Sequence, residues 1–345
     1  MLFSLFEWLD ESGRDMGETY EERLQILEYA DRAGFFCYHL AEHHNTELST
    51  VPSPNLFLAA VAQRTHRIRI GPLSYVLPTY NPLRLLEEIC MLDQLSQGRL
   101  EVGVSRGSSP HEGLIFGVAR DDSRWLYDEC LDIILMGMTT GELNYHGKYF
   151  TYEGTRTRLY PRQRPYPPLW YPTSNPESIS YAAAHGFHTI VSPGLSPTYA
   201  DMLHRYREEY EAHRNDPHRL NGHVAQPHYG ISAQVHVAES DELARRQAKP
   251  AYERFWHNFT ERYVRVQEAD RFSGRGDFDR EVDRGGLVVG SPATVQRDLA
   301  GKLALSGANY LLGSFAWGSL TQSQILTSLD LFVREVMPAL SEVPV

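Results

Sequence analysis

Short apolar runs alternate with longer amphipathic stretches along the whole chain. The runs are LFSLF (2–6), FFCYHLA (35–41), RIRIG (67–71), RLEVGV (99–104), PLWYP (168–172), HTIVS (188–192), YGISAQVHVA (229–238) and ANYLLG (308–313). Their length and apolar character predict buried strands. The stretches between them carry helical spacing. The first runs from Thr19 to Ala33, with Thr19 as its cap, Glu21 and Glu22 in the first turn and Gly34 as its stop. Others are expected over 54–65, 82–96, 121–138, 176–185, 197–213, about 240–268 and 321–339, the last ending at Pro338. In the 82–96 segment, Leu83, Leu86, Ile89, Cys90 and Leu95 form the apolar side. Gly141 to Arg164 reads as polar and rich in turns.

Eight strand candidates, each followed by a helix or a loop plus helix, favour one (β/α)8 TIM barrel over a doubly wound sheet. No repeat or low-complexity linker divides residues 1–345, so a single domain is expected. The charged, glycine-containing stretch at about 265–290 predicts a mobile insertion after the seventh strand. In such a barrel, function gathers at the C-terminal ends of the strands.

Composition narrows the class of partner. The 345 residues are 42% hydrophobic and 22% charged, which suits a large core. A net charge of −11, with no long basic run, argues against nucleic acid and anionic membrane. Cys37, Cys90 and Cys130 are far apart and form no C-x-x-C pair, which excludes a zinc ribbon or thioredoxin-type motif. Their odd number points to a reducing, cytoplasmic setting. The opening MLFSLFEWLDESGRD lacks the basic start and cleavage site of a signal peptide and reads as a first strand.

Four strand-end segments carry candidate chemistry. Glu42, His43 and His44 follow the second strand. They fit an acid/base site, a polar loop or a metal site, although adjacent histidines rarely share one metal. After the fourth strand, Gly103 and Gly107 permit close backbone approach, and Arg106 suits a phosphate. Arg124 follows in DDSRW, where a surface ion pair would also explain it. Ser174, Asn175 and Ser178 surround a helix start, which serves for capping or for phosphate. GPLSYVLPTYNP (71–82) suits the floor beneath a flat ring, or plain packing. Tyr38, Tyr75, Tyr80, Phe116 and Trp317 are candidate pocket walls or core.

Together AEHHN, the block from Arg67 to Gly107, PPLWYPTSNPES, VGSPATV and SLDLFVREVMPAL resemble the bacterial luciferase-like flavin monooxygenases over nearly the whole chain. The resemblance implies a TIM barrel binding reduced FMN supplied by a separate flavin reductase. It implies that O2 adds to form a 4a-hydroperoxide, which oxidises a small organic substrate. By the same likeness His43 matches the active-site histidine, with His44 and Glu42 orienting its loop. Arg106 matches the flavin phosphate arginine, Arg124 a second basic residue, and Ser174, Asn175 and Ser178 the phosphate-binding turn. Leu73-Ser74 matches a non-proline cis peptide under the flavin ring. A homodimer is implied too. Ser105 stands where the luciferases carry a reactive cysteine, and Ser174 where they carry a carboxylate, so light emission is not expected. A deazaflavin-dependent dehydrogenase or reductase on the same barrel, and a non-enzymatic flavin-binding protein, are the alternatives.

Overall fold

The computed structural model describes residues 1–107, 110–265 and 268–341. In chain order it contains β1 (Leu2–Glu7), α1 (Met16–Ala33), β2 (Cys37–Leu40), α2 (Pro54–Arg64), β3 (Arg69–Pro72), β4 (Tyr75–Val76) and α3 (Pro82–Leu95). Then come β5 (Val102–Ser105), α4 (Pro110–Ile115), α5 (Ser123–Thr140), β6 (Glu142–His146), β7 (Thr151–Arg156), β8 (Leu169–Trp170), α6 (Pro176–Ala184), β9 (Thr189–Val191) and α7 (Tyr199–Ala212). The last part holds β10 (Tyr229–Val237), α8 (Asp241–Arg265), α9 (Phe278–Asp283), β11 (Leu287–Gly290), α10 (Pro292–Ser306), β12 (Tyr310–Ser314), α11 (Gln322–Leu331) and α12 (Met337–Ser341).

The fold is mixed α/β around a mostly parallel, curled sheet. Its strands run β11-β10-β12-β1-β2-β3, with β9 also paired to β10. A second parallel set runs β4-β5-β8. Single bridges, Ile70 to Leu100 and Trp170 to His188, link the two sets at either side. Where β3 meets the start of β5, main chain packs on main chain. A Cβ on Gly71 would lie 2.1 Å from the Glu101 carbonyl oxygen.

Local chemistry explains the element ends. Asp15, not Thr19, caps α1: its carboxylate accepts from the Glu18 amide at 3.0 Å. Thr19 is buried inside the helix and donates its hydroxyl to the Asp15 carbonyl at 2.8 Å. The helix therefore starts earlier than expected, because a carboxylate outcompetes a hydroxyl for the free amides and the dipole. Gly34, at φ 87°, closes α1 as expected. Asn81 and Asn175 cap α3 and α6, each followed by proline in the first turn.

Two segments differ from expectation. The turn-rich stretch after Gly141 forms the antiparallel hairpin β6-β7. The final helix does not end at Pro338. A π-helical turn over Phe332–Val336 precedes α12, and Pro338 falls in the first turn of that helix, where no amide is required. The stretch at 265–290 carries a 3-10 turn (Ala269–Phe272), α9 and β11, while Val266 and Gln267 lie outside the described residues. β11 extends the sheet beside the far half of β10, pairing Gln234 to Leu287.

The main core lies between the sheet and its helices. A second cluster, Leu73, Trp170, Ile190, Tyr310 and Leu312, fills the inside of the curl. Polar groups that enter there make hydrogen bonds. Trp170 Nε1 donates to Glu101 Oε2 at 2.6 Å, and Glu101 pairs with Arg69. His39 Nε2 lies 2.8 Å from the Tyr310 hydroxyl, while its Nδ1 has no partner. Burial drives His39 down to about 3, with help from the charges of His228 and Arg69. The three cysteines are buried and unpaired. Among the described residues no helix is long and apolar enough to cross a membrane.

Candidate active site

The loop after β2 carries the three polar residues that open the site. Glu42 is buried and is gripped from below: Tyr80 donates its hydroxyl at 2.8 Å, and the Val76 amide donates at 3.3 Å. Its other oxygen faces His44 Nε2 at 2.8 Å. Burial raises the Glu42 carboxyl above its ordinary range, against the pull of His44, Tyr80 and Val76. His44 packs edge-on against Phe116, with ring centroids 4.7 Å apart.

His43 points to different company. Its Nδ1 lies 2.9 Å from Glu112 Oε1 and 2.8 Å from Arg262 Nη1. Glu112 also accepts the His44 amide at 3.1 Å, so one carboxylate ties down both histidines. Burial lowers the His43 imidazole below its usual value and Arg262 adds to the shift, while Glu112 opposes it. Burial works to raise Glu112, but His43, Arg262 and the His44 amide outweigh it and hold it lowered.

The floor lies next to this loop. The Leu73–Ser74 peptide is cis, and both residues are buried. β5 passes close beneath it: a Cβ on Gly103 would lie 2.4 Å from the Pro72 carbonyl oxygen and 3.1 Å from Leu73 Cα. Gly107, at φ +87°, turns the chain away where a Cβ would strike Val76 at 2.8 Å. Ser105 Oγ accepts the Gly107 amide at 3.2 Å and donates to the Tyr75 carbonyl at 3.5 Å. Its hydroxyl thus braces the turn that presents Arg106.

Arg106 and Arg124 are both exposed. Both charges act on Asp128, one turn into α5, whose carboxyl is raised by burial and pulled down by the two arginines. Neither arginine has an ion pair or hydrogen bond among the described residues. Two exposed cations that share only the more distant charge of Asp128 are suited to a ligand phosphate. At the start of α6, Asn175 Oδ1 accepts the Glu177 amide at 3.0 Å and caps the helix. Ser174 is exposed and Ser178 half-buried in that first turn. Tyr181, one turn further, meets Tyr127 of α5 hydroxyl to hydroxyl at 3.5 Å. α5 and α6 thus meet through these two tyrosines, although no described contact joins Arg106 or Arg124 to Ser174, Asn175 or Ser178.

These groups fit a flavin phosphate and ring: two exposed cations outside any ion pair, a floor where side chains have no room, and a histidine at the rim. Of the aromatic candidates, Tyr38, Tyr75 and Trp317 are fully buried, which makes them packing; Tyr80 and Phe116 keep access. Sequence reading missed Glu112 and Arg262. Glu112 lies 69 residues from His43 along the chain, with no motif spacing to link them. Arg262 lies 219 residues from His43, and its own helix gives no sign of it.

Comparison with known proteins follows the same line. A family model described as luciferase-like monooxygenase matches residues 1–309. Uncharacterized protein y4wF of Sinorhizobium fredii is 38% identical over 338 residues, covering 98% of this chain and 96% of that protein. The oxygenase component of the flavin-dependent trigonelline monooxygenase of Acinetobacter baylyi is 25% identical, covering 99% of this chain and 96% of that one. The crystal structure of monooxygenase RslO1 from Streptomyces bottropensis superposes with a TM-score of 0.84 at 26% identity, covering 98% of this chain and 99% of that chain.

Proposed function

The chain belongs to the luciferase-like monooxygenases, and on that premise we propose that it is the oxygenase of a two-component system. It takes reduced FMN from a separate reductase and uses O2 to oxidise a small organic substrate. What supports this reading is the pair of exposed arginines, Arg106 and Arg124, neither in an ion pair or hydrogen bond among the described residues, together with the cis step at Leu73–Ser74. Reduced FMN, when bound, supplies the electrons that activate O2.

The residues of this chain do the rest. Arg106 and Arg124 hold the phosphate, assisted by Ser174, Ser178 and the start of α6. Leu73, Ser74 and the bare backbone at Gly103 form a flat seat for the ring. His43 holds or moves a proton at its ring nitrogens, and its lowered affinity for protons leaves it neutral and able to act as a base near neutral pH. Glu42 and His44 keep the loop in place, and Phe116 limits water at the rim.

The strand order supports a closed (β/α)8 barrel in one domain, with α8, α9 and β11 as additions after the seventh barrel strand, β10. The exposed apolar residues Leu56 and Met91 on adjacent helices α2 and α3 support a homodimer through that face. Three unpaired cysteines support a reducing, cytoplasmic setting.

The test is an anaerobic titration with reduced FMN, run beside a reduced deazaflavin, followed by mixing with O2. Reduced FMN should bind, and His43→Ala should bind it as tightly while releasing more of the oxygen as hydrogen peroxide. Absence of FMN binding, or tighter binding of the deazaflavin, would overturn the assignment.

A further inference from the structure

Ser314 ends β12, and Gln234 lies beside it on β10, paired in register. Both face the inside of the curl. On β12, Tyr310 and Leu312 belong to the inner cluster, and Ser314 is the next residue on that face. On β10, Ile231, Ala233, Val235 and Val237 pack in the main core, which turns Gln234 inward. Ser314 is only 2% exposed, yet its Oγ has no hydrogen-bond partner among the described residues. Gln234 Nε2 is buried and equally without one. Two such groups on neighbouring strands destabilise the fold, and a bound polar group would relieve them.

The surroundings define that group. Phe6 follows Leu5, which pairs with Gly313, and so lies beside Ser314 in the sheet. Phe6 packs on the inner cluster and meets Trp8 edge-on, with ring centroids 4.6 Å apart. Trp8 in turn lies 5.0 Å from the ring of Phe255 on α8. Phe6 and Trp8 are both half-buried. The inward positions of β1, β10 and β12 carry no Asp, Glu, Lys or Arg. Glu7, at the end of β1, faces the other way and pairs with Arg23 of α1. An ionic ligand would therefore meet no countercharge from these strands, whereas a ring would find aromatic contact. In the sheet, β1 and β2 separate β12 from β3, which leads into the Leu73–Ser74 floor.

We propose that Gln234 and Ser314 recognise the substrate, and that it is a neutral, largely apolar molecule bearing a hydrogen-bond acceptor oxygen. Gln234 Nε2 and Ser314 Oγ donate to that oxygen, while Phe6 and Trp8 take the apolar remainder. Ser314 can donate whichever way the Gln234 amide is turned. This names a substrate class for the proposed oxygenase and rests on that reading for its use in catalysis.

The test compares probes of similar shape, acetophenone, ethylbenzene and benzoate, by calorimetric titration of the full-length chain and of Gln234→Leu and Ser314→Ala. Wild type should bind acetophenone roughly tenfold tighter than ethylbenzene, the scale of a hydrogen bond to a neutral acceptor. It should bind benzoate more weakly than acetophenone. Each variant should reduce the preference for acetophenone over ethylbenzene, and the double variant should abolish it. Reduced FMN should bind the variants as tightly as it binds wild type. Because the replaced groups have no partner in the fold, neither variant should lower the melting temperature, whereas loss of a structural hydrogen bond would lower it. The proposal is overturned if wild type shows no preference for acetophenone, if both variants keep that preference, or if benzoate binds best. Weaker binding of reduced FMN by the variants also overturns it, since the pair would then hold the flavin ring. Wild type that does not bind reduced FMN overturns the oxygenase reading instead, and the probe preference still reports on the pair.

Discussion

Glu42 and His44 face each other across 2.8 Å, carboxylate to Nε2, within one loop. The pair leaves His43 between them free to turn to Glu112 and Arg262. Glu42 acts as a brace, because its second oxygen takes the Tyr80 hydroxyl and the Val76 amide. Glu42→Leu should strand those buried donors and cost about 1–3 kcal/mol, the scale of an unmade buried hydrogen bond. Urea unfolding measures it. A variant as stable as wild type would show that the carboxylate is not holding the loop.

Arg106 should matter to affinity more than to folding. It is exposed and pairs with no acid among the described residues, so Arg106→Ala should leave the melting temperature nearly unchanged. Its affinity for reduced FMN should fall by about 1–3 kcal/mol, the scale of a charge-assisted hydrogen bond. Anaerobic fluorescence titration reads this directly. Equal affinity in the variant would remove Arg106 from the phosphate site.

Gly103 faces a different constraint. An added methyl would lie 2.4 Å from the Pro72 carbonyl, which is backbone and cannot swing aside. Gly103→Ala should therefore push β5 away from the floor and lower stability by about 1–3 kcal/mol, as overpacking does. FMN binding should weaken with it. Calorimetry and the FMN titration together check this, and an unperturbed variant would mean the floor has slack.

His39 makes stability depend on pH. Held down at about 3 in the fold, against 6.5 in its ordinary state, it stays neutral where the unfolded chain takes up a proton. Acid therefore favours unfolding through this group. The stability advantage of wild type over His39→Gln should shrink as pH falls below 6.5, by up to about 1.4 kcal/mol per pH unit. Asp10, raised by burial to about 6, acts with the opposite sign. It is present in both proteins and cancels in the comparison. A difference that is flat with pH would refute the linkage.

Much of this was legible along the chain because it depends on short-range pattern. Apolar runs located the sheet strands, and helical spacing located α2, α3 and α6 to within a residue or two. Asn175 and Pro176 announced a helix start. The family likeness led to the cis step at Leu73–Ser74. What was not legible depends on distant approach. Thr19 resembles a cap because Glu21 and Glu22 follow it, whereas Asp15 starts the helix four residues earlier. The hairpin β6-β7 is too polar and exposed to give an alternating signal. Glu112 and Arg262 acquire a role only once α4 and α8 are folded against the loop after β2.

That last point concerns assembly as well as architecture. The hydrogen bonds around His43 Nδ1 span 69 and 219 residues of chain. No hairpin or single helix can complete them, and contacts between parts so distant in sequence are slow to form. The His43 resonance is thus a built-in clock for folding. It should reach its native position only in the final phase of refolding, after the helices have given their signal.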